Sequence, residues 1–257
     1  VYTKRNHALF GDRLALDLDN AFYSVADGLI NSFKENEDFE GFKLAVILNF
    51  GVESSITPEE LSKENATLLI EKLYNESVAT YNRKKEGLAA QTWPIISNIR
   101  KEQGNHIVNV AVPFTDGKKG IQALANLDKY LANKGAELGS ALERNITLAL
   151  IDDAWKEHLR SMDDLRHSVQ TAGYEQKDPL VVYKIEAFNA FKQMDDQVNK
   201  DIVSFLCHAA IPLEQTNAGS RIKEGHEQKT DRSRMRENKA EIDAAGDDYA
   251  ANEKDYF

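Results

Sequence analysis

No stretch of this 257-residue chain approaches the roughly 20 consecutive apolar residues that a membrane-spanning helix requires. The opening Val1-Tyr2-Thr3-Lys4-Arg5-Asn6-His7 is polar and runs straight into a helical pattern, so it does not read as a secretory leader. It begins on Val rather than Met, and the expectation is a fragment or a processed product. Cysteine is nearly absent. Cys207 alone excludes an internal disulfide and a thiolate zinc cage, and its apolar surroundings, Ile202-Val203-Ser204-Phe205-Leu206, predict a buried, inert thiol. A reducing compartment fits that usage. Positive charge is also in deficit. The net charge of −10 argues against the clustered Lys and Arg of a duplex nucleic-acid surface, so no nucleic-acid partner is expected. The glycine signatures of catalysis are missing too. There is no Gly-x-x-x-x-Gly-Lys-Ser/Thr, no Gly-x-Gly-x-x-Gly and no Gly-x-Ser-x-Gly, hence no recognisable nucleotide site or nucleophile elbow.

What the chain does have is helical periodicity and charge. Hydrophobic residues make up 42%, enough for a core, and charged residues 29%, the composition of a globular protein with extended helices. The first segment reads as helix through about Asn31, with Leu9, Leu14, Leu18, Phe22, Val25 and Leu29 on one face and Gly11 as an interruption. Asn31 to Asp38 is polar and predicts a connection. Phe39, Phe42, Val46, Ile47 and Phe50 mark a short helix. Thr57-Pro58-Glu59-Glu60 is a helix start, with Thr57 as cap, Pro58 in the first turn and Glu60 closing a capping box. A helix over about 66–87 carries Leu69, Leu73, Tyr74, Val78 and Tyr81. Trp93-Pro94 breaks the pattern, and a further helix starts at Ile95, Ile96 and Ile99.

One β signal follows. Ile107-Val108-Asn109-Val110-Ala111-Val112-Pro113 is β-branched and alternating, Asp116-Gly117 signals a hairpin turn, and 121–127 can return. A lone hairpin is marginal in water, so it must lean on helices. After Gly135, Leu138, Leu142, Ile146, Leu150, Trp155, Leu159, Met162, Leu165 and Val169 support a helix of about 35 residues, roughly 50 Å long. Gly173 suits a left-handed cap, and Asp178-Pro179 restarts the chain as N-cap and first-turn residue. Ile185, Phe188, Phe191, Met194, Val198, Ile202 and Phe205 form the second stripe. Two long helices joined by so short a loop must pack antiparallel, with an exposed tip. Beyond about 214 apolar residues become rare. Residues 221–239 are locally basic, the remainder is acidic, and a disordered tail is expected.

The segment Asp152 to His167 gathers Asp152, Asp153, Asp163, Asp164, Glu157, His158 and His167 within five turns and invites a metal or acid–base reading. Lys156, Arg160 and Arg166 are interleaved, no His-Glu-x-x-His occurs, and a salt-bridged helix surface is preferred. Trp155 reads as an anchor between helices.

The block Trp155-Lys156-Glu157-His158-Leu159, Met162-Asp163, Leu165-Arg166, Gly173-Tyr174-Glu175-Gln176-Lys177-Asp178-Pro179, Tyr183-Lys184 and Glu186-Ala187-Phe188 resembles the SecA preprotein translocase ATPases without gaps over about 40 residues. The opening 1–13 is similar to that family's scaffold helix. The resemblance implies a mainly α fold with these parts: helical scaffold over 1–32 and again over 133–212, the latter a two-helix finger; a small helical wing carrying one β-hairpin over 33–132; and a disordered C-terminal linker over 213–257. It implies a finger tip of Tyr174, Gln176 and Lys177 facing preprotein and channel, and scaffold packing through Trp155, Leu159 and Phe188. The partners it implies are the SecYEG channel, preprotein, the family's motor domains and a second copy of the protein. ATP and Mg²⁺ belong to those motor domains, and the setting is the bacterial cytoplasm, peripheral on the plasma membrane. The family's zinc module is absent from this sequence. Ala172 stands where many members carry Arg, and Ala154 where Leu is commoner, so no role of that Arg is carried over. A freestanding helical scaffold or adaptor without motor activity is the alternative. On either reading the 257-residue chain should neither bind nor hydrolyse ATP. Calorimetry should show no saturable binding at micromolar affinity, because no phosphate-cradling loop is present.

Overall fold

The computed structural model describes residues 1–11, 13–103, 106–169, 178–212 and 223–224, all within one compact unit, Val1–Gly225. It is mainly α. Two helices open the chain, α1 (Tyr2–Phe10) and α2 (Leu14–Asn36), followed by α3 (Phe39–Phe50), α4 (Pro58–Lys63) and α5 (Ala66–Gln103). A hairpin of β1 (Asn109–Thr115) and β2 (Gly120–Asn126) leads through α6 (Leu127–Ala132) into the long helices α7 (Ala136–Ser168) and α8 (Pro179–His208). A two-residue strand, β3 (Lys223–Glu224), completes the order β2-β1-β3. It is the only part of the tail among the described residues. Among those residues no helix is long and apolar enough to cross a membrane.

The core forms where α2, α3, α5, α7 and α8 meet. Phe22 of α2 stacks near Phe50 of α3 at 6.1 Å and lies 5.5 Å from the ring of Tyr81 on α5. Leu14, Leu18, Phe22, Val25 and Leu29 are buried as their spacing predicts, but Leu9 is exposed. The reason is Gly11. It adopts φ +77, caps α1 and ends it, and Arg13 opens α2 in a second left-handed conformation, so the opening segment is two helices rather than one interrupted helix.

Two further expectations are corrected. The connection predicted from Asn31 is helical to Asn36. Phe33 contacts Phe42, and Lys34 donates to the Leu61 carbonyl at 3.0 Å, so tertiary contacts extend α2 through a polar stretch. The break predicted at Trp93-Pro94 does not occur, and α5 runs through Pro94 for 38 residues. Proline costs a backbone hydrogen bond, but Trp93 stacks on Tyr130 at 5.8 Å, Thr92 Oγ1 meets the Tyr130 hydroxyl at 2.8 Å, and Ile96 is fully buried. Both sides of the proline are therefore pinned.

Local signals hold elsewhere. Thr57 and Glu60 form the capping box, and Asp178 caps α8 with Pro179 behind it. In the hairpin, Asp116 Oδ1 accepts from the amides of Lys118 and Lys119, and Gly117 takes φ +89. The outer edge of β1 is paired at Val110–Ala111 by β3 and at Thr115 by Ala210. Pro113 shares the parity of Ala111 and Thr115, so its missing N–H faces the gap between those pairings. Cys207 is buried with its thiol pushed up to about 12 by desolvation, an inert group as expected.

Two glycines should respond oppositely to alanine. Gly135 enters α7 at φ +94, and a Cβ there would lie 3.0 Å from that of Ala89. Gly135→Ala should lower unfolding stability by about 2 kcal/mol, combining left-handed strain with overpacking. Gly87 lies inside α5 with open space at its Cβ, and Gly87→Ala should raise stability by up to about 1 kcal/mol. Urea denaturation of both variants checks the contrast.

Candidate functional site: a two-helix finger

The most distinctive feature is the antiparallel pair α7 and α8, 33 and 30 residues long. Its two halves differ. At the base, Leu138, Leu142, Ile146, Leu150 and Ile151 of α7 and Val198, Ile202, Val203 and Phe205 of α8 are all buried in the common core. Toward the tip the same stripes emerge into solvent. Leu180, Val181, Ile185, Phe188 and Phe191 of α8 and Leu159 of α7 are exposed. Periodicity could not distinguish these halves, because both carry the same apolar spacing. What differs is the presence of a third and fourth helix beside the base.

The transition lies at Trp155. Its ring meets Tyr2 of α1 edge-on at 5.9 Å and His158 at 5.4 Å, and His158, buried, meets Phe191 of α8 at 5.9 Å. Four rings thus run from α1 across α7 to α8. Beside them is a groove of about 780 Å³ between the finger helices, lined by Ala154, His158, Ala190, Met194, Gln197 and Lys200. Trp155 is half-buried at a helix junction. Leu159 and Phe188, expected to pack the scaffold, are instead 48% and 68% exposed, because the stripe's inward position at this level is taken by His158 rather than Leu159, and no described helix of this chain covers that face of α8. Tyr174, Gln176 and Lys177 lie outside the described residues.

Three carboxylates of the acidic segment, Asp152, Asp153 and Glu157, form ion pairs. Asp153 pairs with Lys156 at 3.8 Å and Glu157 with Arg160 at 3.1 Å, each on the exposed helix surface. Asp152 is held by Arg5 of α1, and that hydrogen bond raises the Arg5 pKa further. No group of acidic, histidine or cysteine side chains suited to a metal occurs among the described residues.

A second polar joint, missed in the sequence, fastens α5 to the root of α7. Glu143 Oε1 accepts from the Tyr81 hydroxyl at 2.8 Å and from Lys85 Nζ at 2.9 Å. Burial, then the charge of Glu143, pushes the Tyr81 phenol well above its ordinary pKa. Gly139 leaves room for the Lys85 stem, since a Cβ there would stand 2.5 Å from Lys85 Cδ. On the α8 side, Lys84 Nζ donates to the Cys207 carbonyl at 2.6 Å, one of the carbonyls left open at the helix C-terminus. Tyr81 carried an apolar signal in the sequence, but nothing local marked Glu143 as its partner.

Long helices rooted in one core, with an ion-paired flank and an apolar outer half, define an extended helical module. The comparisons agree with that class. The family model described as SecA Wing and Scaffold domain matches residues 1–210. A protein translocase subunit SecA of Christiangramia forsetii is 42% identical over 212 residues, 82% of this chain and 19% of that protein. The subunit of Cytophaga hutchinsonii is 40% identical over 245 residues, covering 95% of this chain and 22% of its own length. That of Bacteroides fragilis is 35% identical over 261 residues, covering 98% and 23%. The chain belongs to the SecA wing and scaffold family. It spans about a fifth of the length of the curated relatives it matches.

The burial difference between ring positions yields a measurable contrast. Trp155→Ala should lower stability by about 2 kcal/mol, roughly half the cost of removing a fully buried Trp. Phe188→Ala should fall within about 0.5 kcal/mol of the parent, as an exposed position does. Denaturant midpoints for the two variants decide the matter.

Proposed function

We propose that this chain is the wing and finger part of a SecA-type motor that moves preproteins through the SecYEG channel, with ATP hydrolysis supplied by the other four-fifths of the parent protein. Residues 33–132 serve as the wing, and 1–32 with 133–212 as scaffold and finger. The observation that carries the reading is the split character of the finger, buried at its base and apolar but uncovered toward its tip, in a chain of this family. A rigid base transmits displacement, and an uncovered apolar outer half is suited to meet other protein surfaces. Phe188 and Leu159 belong to that contact surface rather than to a core of this chain. ATP and Mg²⁺ act in the motor domains, and the complete protein works at the cytoplasmic face of the bacterial plasma membrane, as a monomer or a homodimer.

At the tip, Tyr174 touches the moving preprotein, and Gln176 and Lys177 offer hydrogen bonds to channel loops. A flat amphipathic ring grips many sequences without demanding one. In the complete motor, Tyr174→Ala should slow translocation into reconstituted vesicles severalfold while basal ATP hydrolysis and unfolding midpoint change little. Tyr174→Phe should keep most of the transport. Equal transport by the Ala variant and the parent would reject the fingertip role.

A further inference from the structure

The inner edge of β1 is paired along its whole length, and its outer edge is not. On the inner side the register with β2 runs from Asn109↔Asn126 to Thr115↔Gly120. Val110, Val112 and Phe114 root the strand in the core, each at most 2% exposed. The direction of the remaining main-chain groups follows from one contact. Thr115 exchanges both bonds with Ala210, its amide donating at 2.9 Å and its carbonyl accepting at 2.8 Å. Odd positions of β1 therefore point outward. Even positions face β2, as Val108 does in accepting from the Leu127 amide at 2.9 Å. The outward main chain thus belongs to Asn109, Ala111, Pro113 and Thr115.

Thr115 is taken by Ala210, and Pro113 has no amide to offer. Asn109 and Ala111 are left as the stretch where a neighbouring strand can bond through donor and acceptor alike. A segment from far along the chain lies there. Lys223 and Glu224 pair antiparallel with Ala111 and Val110, and parity makes Ala111–Lys223 the hydrogen-bonded pair. The grip is short, two residues against the seven of β2. Val108, just before the stretch, is 56% exposed, so the edge opens to solvent at that end. A chain bound in this way is recognised through its main chain, with little demand on its sequence. A strand already fixed in the core needs little ordering to receive it. An edge covered by only two residues can also be vacated without disturbing the strand beneath. We propose that the outer edge of β1 at Asn109–Ala111 is a docking edge for an extended polypeptide segment, which Lys223–Glu224 covers in cis. A strand arriving in trans takes the place of Lys223–Glu224, and Pro113 ends its pairing on one side. This docking depends on the geometry of the sheet and not on the translocation reading.

Amide exchange followed by NMR on the 257-residue chain tests it, with Lys223→Pro to remove the donor opposite Ala111. The Ala111 amide should exchange about fivefold faster in the variant, the scale of one backbone hydrogen bond. The Val112 and Phe114 amides, which face β2, should stay protected and report an intact hairpin. A synthetic peptide of residues 219–227, Gly-Ser-Arg-Ile-Lys-Glu-Gly-His-Glu, in millimolar excess should slow Ala111 exchange in the variant toward the parent rate. A peptide of unrelated sequence, Thr-Val-Thr-Val-Thr-Val-Thr, should do the same, and either peptide methylated on alternate backbone nitrogens should not. Equal Ala111 exchange in variant and parent would overturn the cis cover, and failure of both plain peptides would overturn the docking edge. Slowing by the 219–227 peptide alone, or by the methylated peptides, would overturn recognition through the main chain. Loss of Val112 protection together with that of Ala111 would also overturn the idea, since Lys223–Glu224 would then hold the sheet together and not merely cover its edge.

Discussion

The packing of α7 against α8 at the finger's base sets the conditions for the rest of the structure. Leu142, Ile146 and Leu150 on one helix and Val198, Ile202 and Phe205 on the other are buried in the same cluster that takes in α2 and α3. Non-directional apolar burial of this kind fixes two long rods by one end only. Once the base is fixed, the position of everything further along the rods follows from helix rigidity, because each residue adds about 1.5 Å of nearly straight rise. The outer halves therefore need no partner in this chain to be well placed, and they can leave Ile185 and Phe188 uncovered.

Around that base the polar contacts do a different job. Tyr81, Lys85 and Glu143 tie α5 to the root of α7, and Lys84 closes the end of α8 from the same helix. These bonds are directional, so they define how the α5 side of the molecule sits on the finger in a way that oily contact does not. The β-hairpin is fastened by a similar logic. Thr115 at the end of β1 pairs with Ala210, two residues past α8, so the base of the finger and the sheet share backbone hydrogen bonds. α1 is the exception, held by charges and by one ring contact with little burial.

The uncovered apolar surface is coherent with a chain that spans about a fifth of its relatives' length. Leu44, Ile47 and Leu48 leave α3 apolar on its outer side as well as its inner one. A helix apolar all round is ordinarily buried. In this chain only Phe42, Val46 and Phe50 find that burial.

Much of the architecture was legible from residues alone, wherever the deciding interaction was local. Thr57 and Glu60 are three residues apart, Asp178 and Pro179 adjacent, Asp116 and Gly117 a turn by themselves, and each behaves as its spacing dictates. The finger followed from two apolar stripes and a short connection. Apart from the split of the opening helix at the left-handed Gly11, the errors occurred where a distant partner overrode the local preference. Pro94 remains helical because Trp93 has Tyr130 to stack on, and α2 outlasts its polar end because Phe33 has Phe42. Leu159 and Phe188 lie on a correct helical face, yet they are exposed, because periodicity gives the direction of a face and not what stands opposite it. The same limit hid Arg5–Asp152, a pair 147 residues apart. Sequence by itself determined which segments are helix, where most of them start and stop, and that two of them form a hairpin, since those outcomes depend on neighbours within a turn or two. Only the tertiary structure decided which half of the hairpin is buried and which charges meet, since those depend on how chain segments far apart in sequence come together in space.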